Sequence, residues 1–146
     1  MKWLPISFVV VALMTLSACS GPRSPRQDLD RLQGTWRVES SSWNGVEDPE
    51  IAKTITILFQ DDKFIVVDRD GIRQQPETVR LLPSQNPKAI DFWSKDGSQP
   101  GIYSLEGDVF KWCSAGGGNQ VRPTSFASTP GSKQSLLVLR RDARKG

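Results

Sequence analysis

The sequence predicts an all-β fold, a small antiparallel up-and-down barrel of about eight strands with a short N-terminal helical turn. Three observations lead there. Apolar and polar residues alternate with period two in a series of short runs, turn residues separate nearly all of these runs, and one short helical segment precedes the first. A chain of 146 residues has single-domain length, long enough to enclose one core without disulfides or a metal.

The helical turn is expected at Asp28–Gln33. Asp28 serves as its cap, Leu29 and Leu32 share a face, and Gly34 ends it. Trp36 and Val38 then alternate with Arg37 and Glu39, and Ile55, Ile57 and Phe59 alternate with Thr54, Thr56 and Leu58. Phe64 to Arg69 returns across Asp61-Asp62 as a hairpin. Thr78 to Leu82, Ala89 to Ser94, Gly101 to Leu105, Val109 to Ser114 and Leu136 to Arg141 complete the series. Asn44-Gly45, Asp70-Gly71, Asp96-Gly97 and Glu106-Gly107-Asp108 supply turns, because Gly and Asn accept the positive φ that tight hairpins need.

The first eighteen residues have a different character. Lys2 gives a short positive start, and Trp3 to Leu16 is an apolar run too short to span a bilayer, which takes about 20 residues. Leu16-Ser17-Ala18-Cys19 follows and resembles the bacterial lipobox at every position. That resemblance implies cleavage before Cys19, a diacylglycerol on its thiol and an acyl group on its new amine. Each buried methylene of such chains contributes about 0.8 kcal/mol, so the anchor is effectively permanent. The expected organisation is a signal peptide over residues 1–18, lipidated Cys19 and a Pro-containing tether to residue 27, the barrel over 28–141, and a basic tail over 142–146. The product is an exported lipoprotein held in the cell envelope, on the periplasmic face or the outer membrane.

Charge and composition narrow the chemistry. The formal charge of +3 is too small and too dispersed for a nucleic-acid face. The chain has no histidine, which removes Ser-His-Asp and Cys-His catalysis and most catalytic zinc sites. Cys113 is the one thiol remaining once Cys19 is acylated; without a histidine to activate it, a buried structural role is expected. Asp68-Arg69-Asp70-Gly71 lacks the further oxygen ligands of a calcium loop and reads as a turn. Glu47, Asp48 and Glu50 read as a solvated acidic loop.

Gly34-Thr35-Trp36, entering the first strand after a helical turn, resembles the lipocalin signature. In that family an Arg from the last strand covers the Trp at the closed end of the barrel, and Arg140 is the candidate here. A narrower pattern adds Leu32-Gln33 before this motif, then Pro87 to Phe92, Gly101-Ile102-Tyr103, Cys113, Arg122 to Phe126 and Leu136 to Arg140. Over residues 29 to 141 it resembles an uncharacterised lipocalin-like domain family abundant in planctomycetes. The resemblance implies the barrel and an envelope setting, and no activity.

Two groups of residues are candidates for function. Asp91 and Arg122, with Tyr103, form either a pair that fixes the Val121–Phe126 loop or the polar mouth of a pocket. Trp93 and Trp112 either line a cavity or fill the barrel. No cofactor and no metal is implied. The leading expectation is a non-enzymatic lipoprotein binding a small apolar molecule within the barrel. The alternative is a structural or protein-interaction module whose barrel is filled by its own side chains.

Overall fold

The computed structural model describes residue 21, residues 23–116, residue 118 and residues 120–143. The lipobox, with Cys19, lies outside the described residues. The elements are α1 (Pro25–Leu32), β1 (Gly34–Trp43), β2 (Val46–Glu47), α2 (Pro49–Thr54), β3 (Ile55–Gln60) and β4 (Lys63–Asp68). They continue with β5 (Glu77–Leu82), β6 (Ala89–Ser94), β7 (Gly97–Glu106), β8 (Val109–Ala115) and β9 (Gln134–Arg141).

Every strand pairs antiparallel with its neighbour from β3 to β9, and β1 pairs with both β3 and β9. This closes an eight-stranded up-and-down barrel; β2 is a two-residue flap on β1. Closure pairs β1 with β9, the two strands that an open sheet would leave as edges. The predicted alternation holds through the hairpin of β3 and β4, where Ile57 faces Val66 and Phe59 faces Phe64.

Two elements differ from expectation. α1 starts at Pro25, three residues before the Asp28 that the sequence offered as its cap. Ser24 is the actual cap: its Oγ accepts from Gln27 N at 3.2 Å, and Gln27 Oε1 accepts from Ser24 N at 3.0 Å. Pro25, with its preset φ and missing N–H, suits the first helical position. The supposed tether therefore contributes its last residues to the fold. The acidic loop is also a helix, α2. Asp48 Oδ1 accepts from the backbone N–H groups of Glu50 and Ile51, and Ile51 and Ala52 pack on the core.

One end of the barrel is shut. Trp36 is fully buried there, with its Nε1 donating to Leu32 O at 2.7 Å and its ring 5.9 Å from that of Phe110. The expected cover of this indole, Arg140, is exposed and pairs with Glu39 instead. Arg141 takes the position, its guanidinium 4.4 Å from the Trp36 ring centre. Its Nη1 donates to Gln33 O at 2.8 Å and its Nη2 to Arg31 O. Strand alternation decides between the two: Arg141 is opposite Trp36 in the β1–β9 ladder and shares its face, whereas Arg140 is opposite Arg37.

A second bond locks α1 across this end. Asp28, inside the helix and fully buried, accepts from Tyr103 Oη at 2.8 Å and from Lys88 Nζ at 2.7 Å. Above this level the middle of the barrel is filled by aromatic rings. Phe92 and Trp112 have centroids 4.3 Å apart, and Phe64 lies 4.9 Å from Phe92 and 5.4 Å from Trp112.

Candidate functional site

The opposite end is polar. Along β5 to β9 the inward face reads apolar near α1 and hydrophilic away from it, because residues two apart share a face. Glu77 on β5, Ser94 on β6, Gln99 on β7, Ser114 on β8 and Ser135 on β9 stand on the same face as the core residues Val79, Phe92, Tyr103, Trp112 and Leu139. α2 brings Ile51 and Ala52 against the core beside β1 and β3. The remaining side holds a cavity of about 210 Å³, lined by Glu77, Phe92, Ser94, Asp96, Gln99 and Gly116 among others.

Local backbone pairing creates the opening. β4 and β5 share two ladder positions, Lys63 with Thr78 and Phe64 with Glu77. Beyond Phe64, β4 turns away: Gln74 N donates to Val66 O at 2.9 Å, and Val67 bridges to Arg73. Glu77 thus sits where the ladder parts. Burial pushes its carboxyl above its ordinary value of 4.5, and no Lys or Arg forms an ion pair with it among the described residues.

Gly116 shapes the wall. A Cβ there would lie 2.5 Å from Trp43 Cζ3 and 2.7 Å from its Cη2, so the indole needs glycine at this position. Beneath the wall, Trp112 Nε1 and Ser114 Oγ are buried without a protein hydrogen-bond partner. An unpartnered buried donor costs about 1–3 kcal/mol, and two on one strand face need a reason.

The residues singled out from sequence separate. Asp91 and Arg122 do meet, with Nη2 2.8 Å from Oδ1, close enough for an ion pair but off the line of the N–H bonds. Arg122 Nη1 also donates to Gly101 O at 2.7 Å and to Ile90 O at 3.2 Å. The pair therefore pins the loop to the β6–β7 ladder at two of its carbonyls. Tyr103 is not with them; it belongs to the Asp28 cluster at the closed end. Trp93 points outward and is 48% exposed, so it lines no interior space. Trp112 is core, apart from its Nε1. Cys113 is buried on the outer face, its Sγ 3.4 Å from Ala127 O, and burial pushes its thiol up.

Sequence reasoning missed Glu77, Gln99 and Ser114. Their signal was present as polar residues on the inward phase of β5, β7 and β8, in step with the inward-facing residues two positions away. A larger groove of about 670 Å³ runs between α1 and β5 over Leu29, Val79 and Leu81. The smaller cavity is the better candidate because the partly buried Glu77 carboxylate in its wall has no ion-pair partner among the described residues. No family model matches this chain, and no curated protein matches it.

Proposed function

We propose that this protein is a lipid-anchored lipoprotein of the bacterial cell envelope whose barrel, without enzymatic activity, binds a small molecule at its open end. The observation that carries the binding reading is the cavity at the open end, whose wall holds the partly buried Glu77 carboxylate with no ion-pair partner among the described residues, beside Gln99 and Ser94. Aromatic rings occupy the middle of the barrel, which moves the ligand from the centre to the mouth and from apolar to polar. Anchoring rests on Leu16-Ser17-Ala18-Cys19. The kinship with lipocalin-like domains is supported by Gly34 and Trp36 at the closed end with an arginine across the indole. Absence of histidine and a thiol raised by burial speak for binding over catalysis.

Native mass spectrometry of the full chain, extracted in detergent from an exporting bacterial host, tests both halves. We expect a mature mass beginning at lipidated Cys19, lost in Cys19→Ser, and a small adduct that Gln99→Leu displaces. A bare polypeptide mass, unchanged after exposure to polar small molecules, overturns the binding reading.

The packed interior also favours a second reading, a protein-interaction module with a filled barrel. Trp43 and Val46, opposite one another on β1 and β2, are 42% and 69% exposed at the rim and offer an apolar contact. Cross-linking in intact cells with recovery of one envelope protein, lost in Trp43→Ser, supports that alternative.

A further inference from the structure

We infer that the cavity at the open end takes a small organic cation of the ammonium class that also carries a hydrogen-bond acceptor, with Glu77 as its counter-ion. The inference rests on the reading of this cavity as a binding site and adds the chemistry of what enters it.

Charge is the first argument. The wall contains two carboxylates, Glu77 and Asp96, and neither lysine nor arginine. Lys95, on the same turn as Asp96, is exposed and does not line the cavity. An anion entering here meets like charge with nothing to offset it. A neutral polyol satisfies hydrogen bonds but leaves the Glu77 carboxylate partly buried and without a counter-charge. Burial already disfavours its ionised form, and a bound cation reverses that cost.

The aromatic setting is the second argument. Phe92 lines the cavity, and the Trp43 indole packs on Gly116 in its wall. Ammonium groups are drawn to the negative faces of such rings, most strongly to tryptophan. The third argument comes from the polar side chains of the wall. Gln99 presents an amide donor there and Ser94 and Ser98 hydroxyls, so an oxygen on the ligand finds a donor. A bare metal cation does not answer this set, since it brings no acceptor, and the described residues hold no cluster of metal-ligating side chains.

Calorimetric titration of the full chain in detergent with three probes of one shape tests the inference. They are choline, its uncharged carbon isostere dimethylbutanol, and the anion dimethylbutyrate. We expect choline to bind about tenfold or more tighter than dimethylbutanol, with dimethylbutyrate weakest. Glu77→Gln removes this preference while leaving the fold intact by thermal melting. Should dimethylbutanol match choline, or Glu77→Gln keep the preference, the cation assignment is wrong and the binding site itself stands. Absence of heat with all three probes overturns both.

Discussion

The Tyr103 hydroxyl donates to the Asp28 carboxylate across 2.8 Å in a part of the molecule where both side chains are essentially inaccessible. Burial pushes the Asp28 carboxyl up. Hydrogen bonds from Lys88 and Tyr103, with the charges of Lys88 and Arg31, outweigh that and hold it below its ordinary 3.8. Tyr103 is pushed far up by its own burial and by the carboxylate beside it. Asp28 therefore ties α1 to β7 as an ionised acceptor. Tyr103→Phe is expected to cost about 1–2 kcal/mol, the value of a hydrogen bond to a charged group. Asp28→Ala is expected to cost about 3 kcal/mol or more, because Lys88 and Tyr103 lose their acceptor together. The folded state holds this proton more weakly than the unfolded chain. Its contribution is complete above pH 3.8 and lost as pH falls through the lower folded value. Urea melts of both variants at neutral and strongly acidic pH check this: the deficit should shrink in acid.

Arg141 and Arg140 are neighbours with opposite roles, and substitution separates them. Arg141→Ala removes the cover of Trp36 and leaves Gln33 O and Arg31 O short of a donor, at an expected cost of about 1.5–3 kcal/mol. Arg140→Ala is expected to leave the melting temperature unchanged, since the Arg140–Glu39 pair is exposed. Trp36→Ala should cost about 3–5 kcal/mol. Equal losses for the two arginines in thermal melts overturn the assignment.

The Arg122 fork gives a third outcome. Lysine keeps the charge of Arg122 but not its planar fork, and it cannot serve Ile90 O, Gly101 O and Asp91 together. Arg122→Lys is expected to cost about 1–2 kcal/mol, and to speed amide exchange in β6 and β7 next to Pro100. Restoration of native exchange by lysine alone contradicts this account.

Glu77 should weaken the fold that carries it. Its folded value lies above 4.5, so its contribution is present below pH 4.5 and lost as pH rises through that folded value. Glu77→Gln is thus expected to melt higher than the parent protein at neutral pH, with the difference vanishing near pH 4. A variant less stable at every pH removes the case for Glu77 as a site residue held at a stability cost.

The residues themselves determined the barrel. Alternation in β3, β4, β6 and β8 and the glycine turns between strands are local patterns, and a period of two leaves one choice of buried face. Trp36 as the closed-end anchor was legible for the same reason. Caps were legible too, had Ser24-Pro25 and Asp48-Pro49 been weighted above the polarity around them. Tertiary structure decided which arginine covers Trp36, because Leu136–Leu139 is apolar throughout and the inward phase of β9 is fixed only by its pairing with β1, which sets Arg141 opposite Trp36. It alone decided that Tyr103 leaves Asp91 and joins Asp28, and that Arg122 reaches the Ile90 and Gly101 carbonyls. The open-end site belongs to that second class. Glu77, Gln99 and Ser114 come from three strands, and closure into a barrel is what turns their inward faces toward one space.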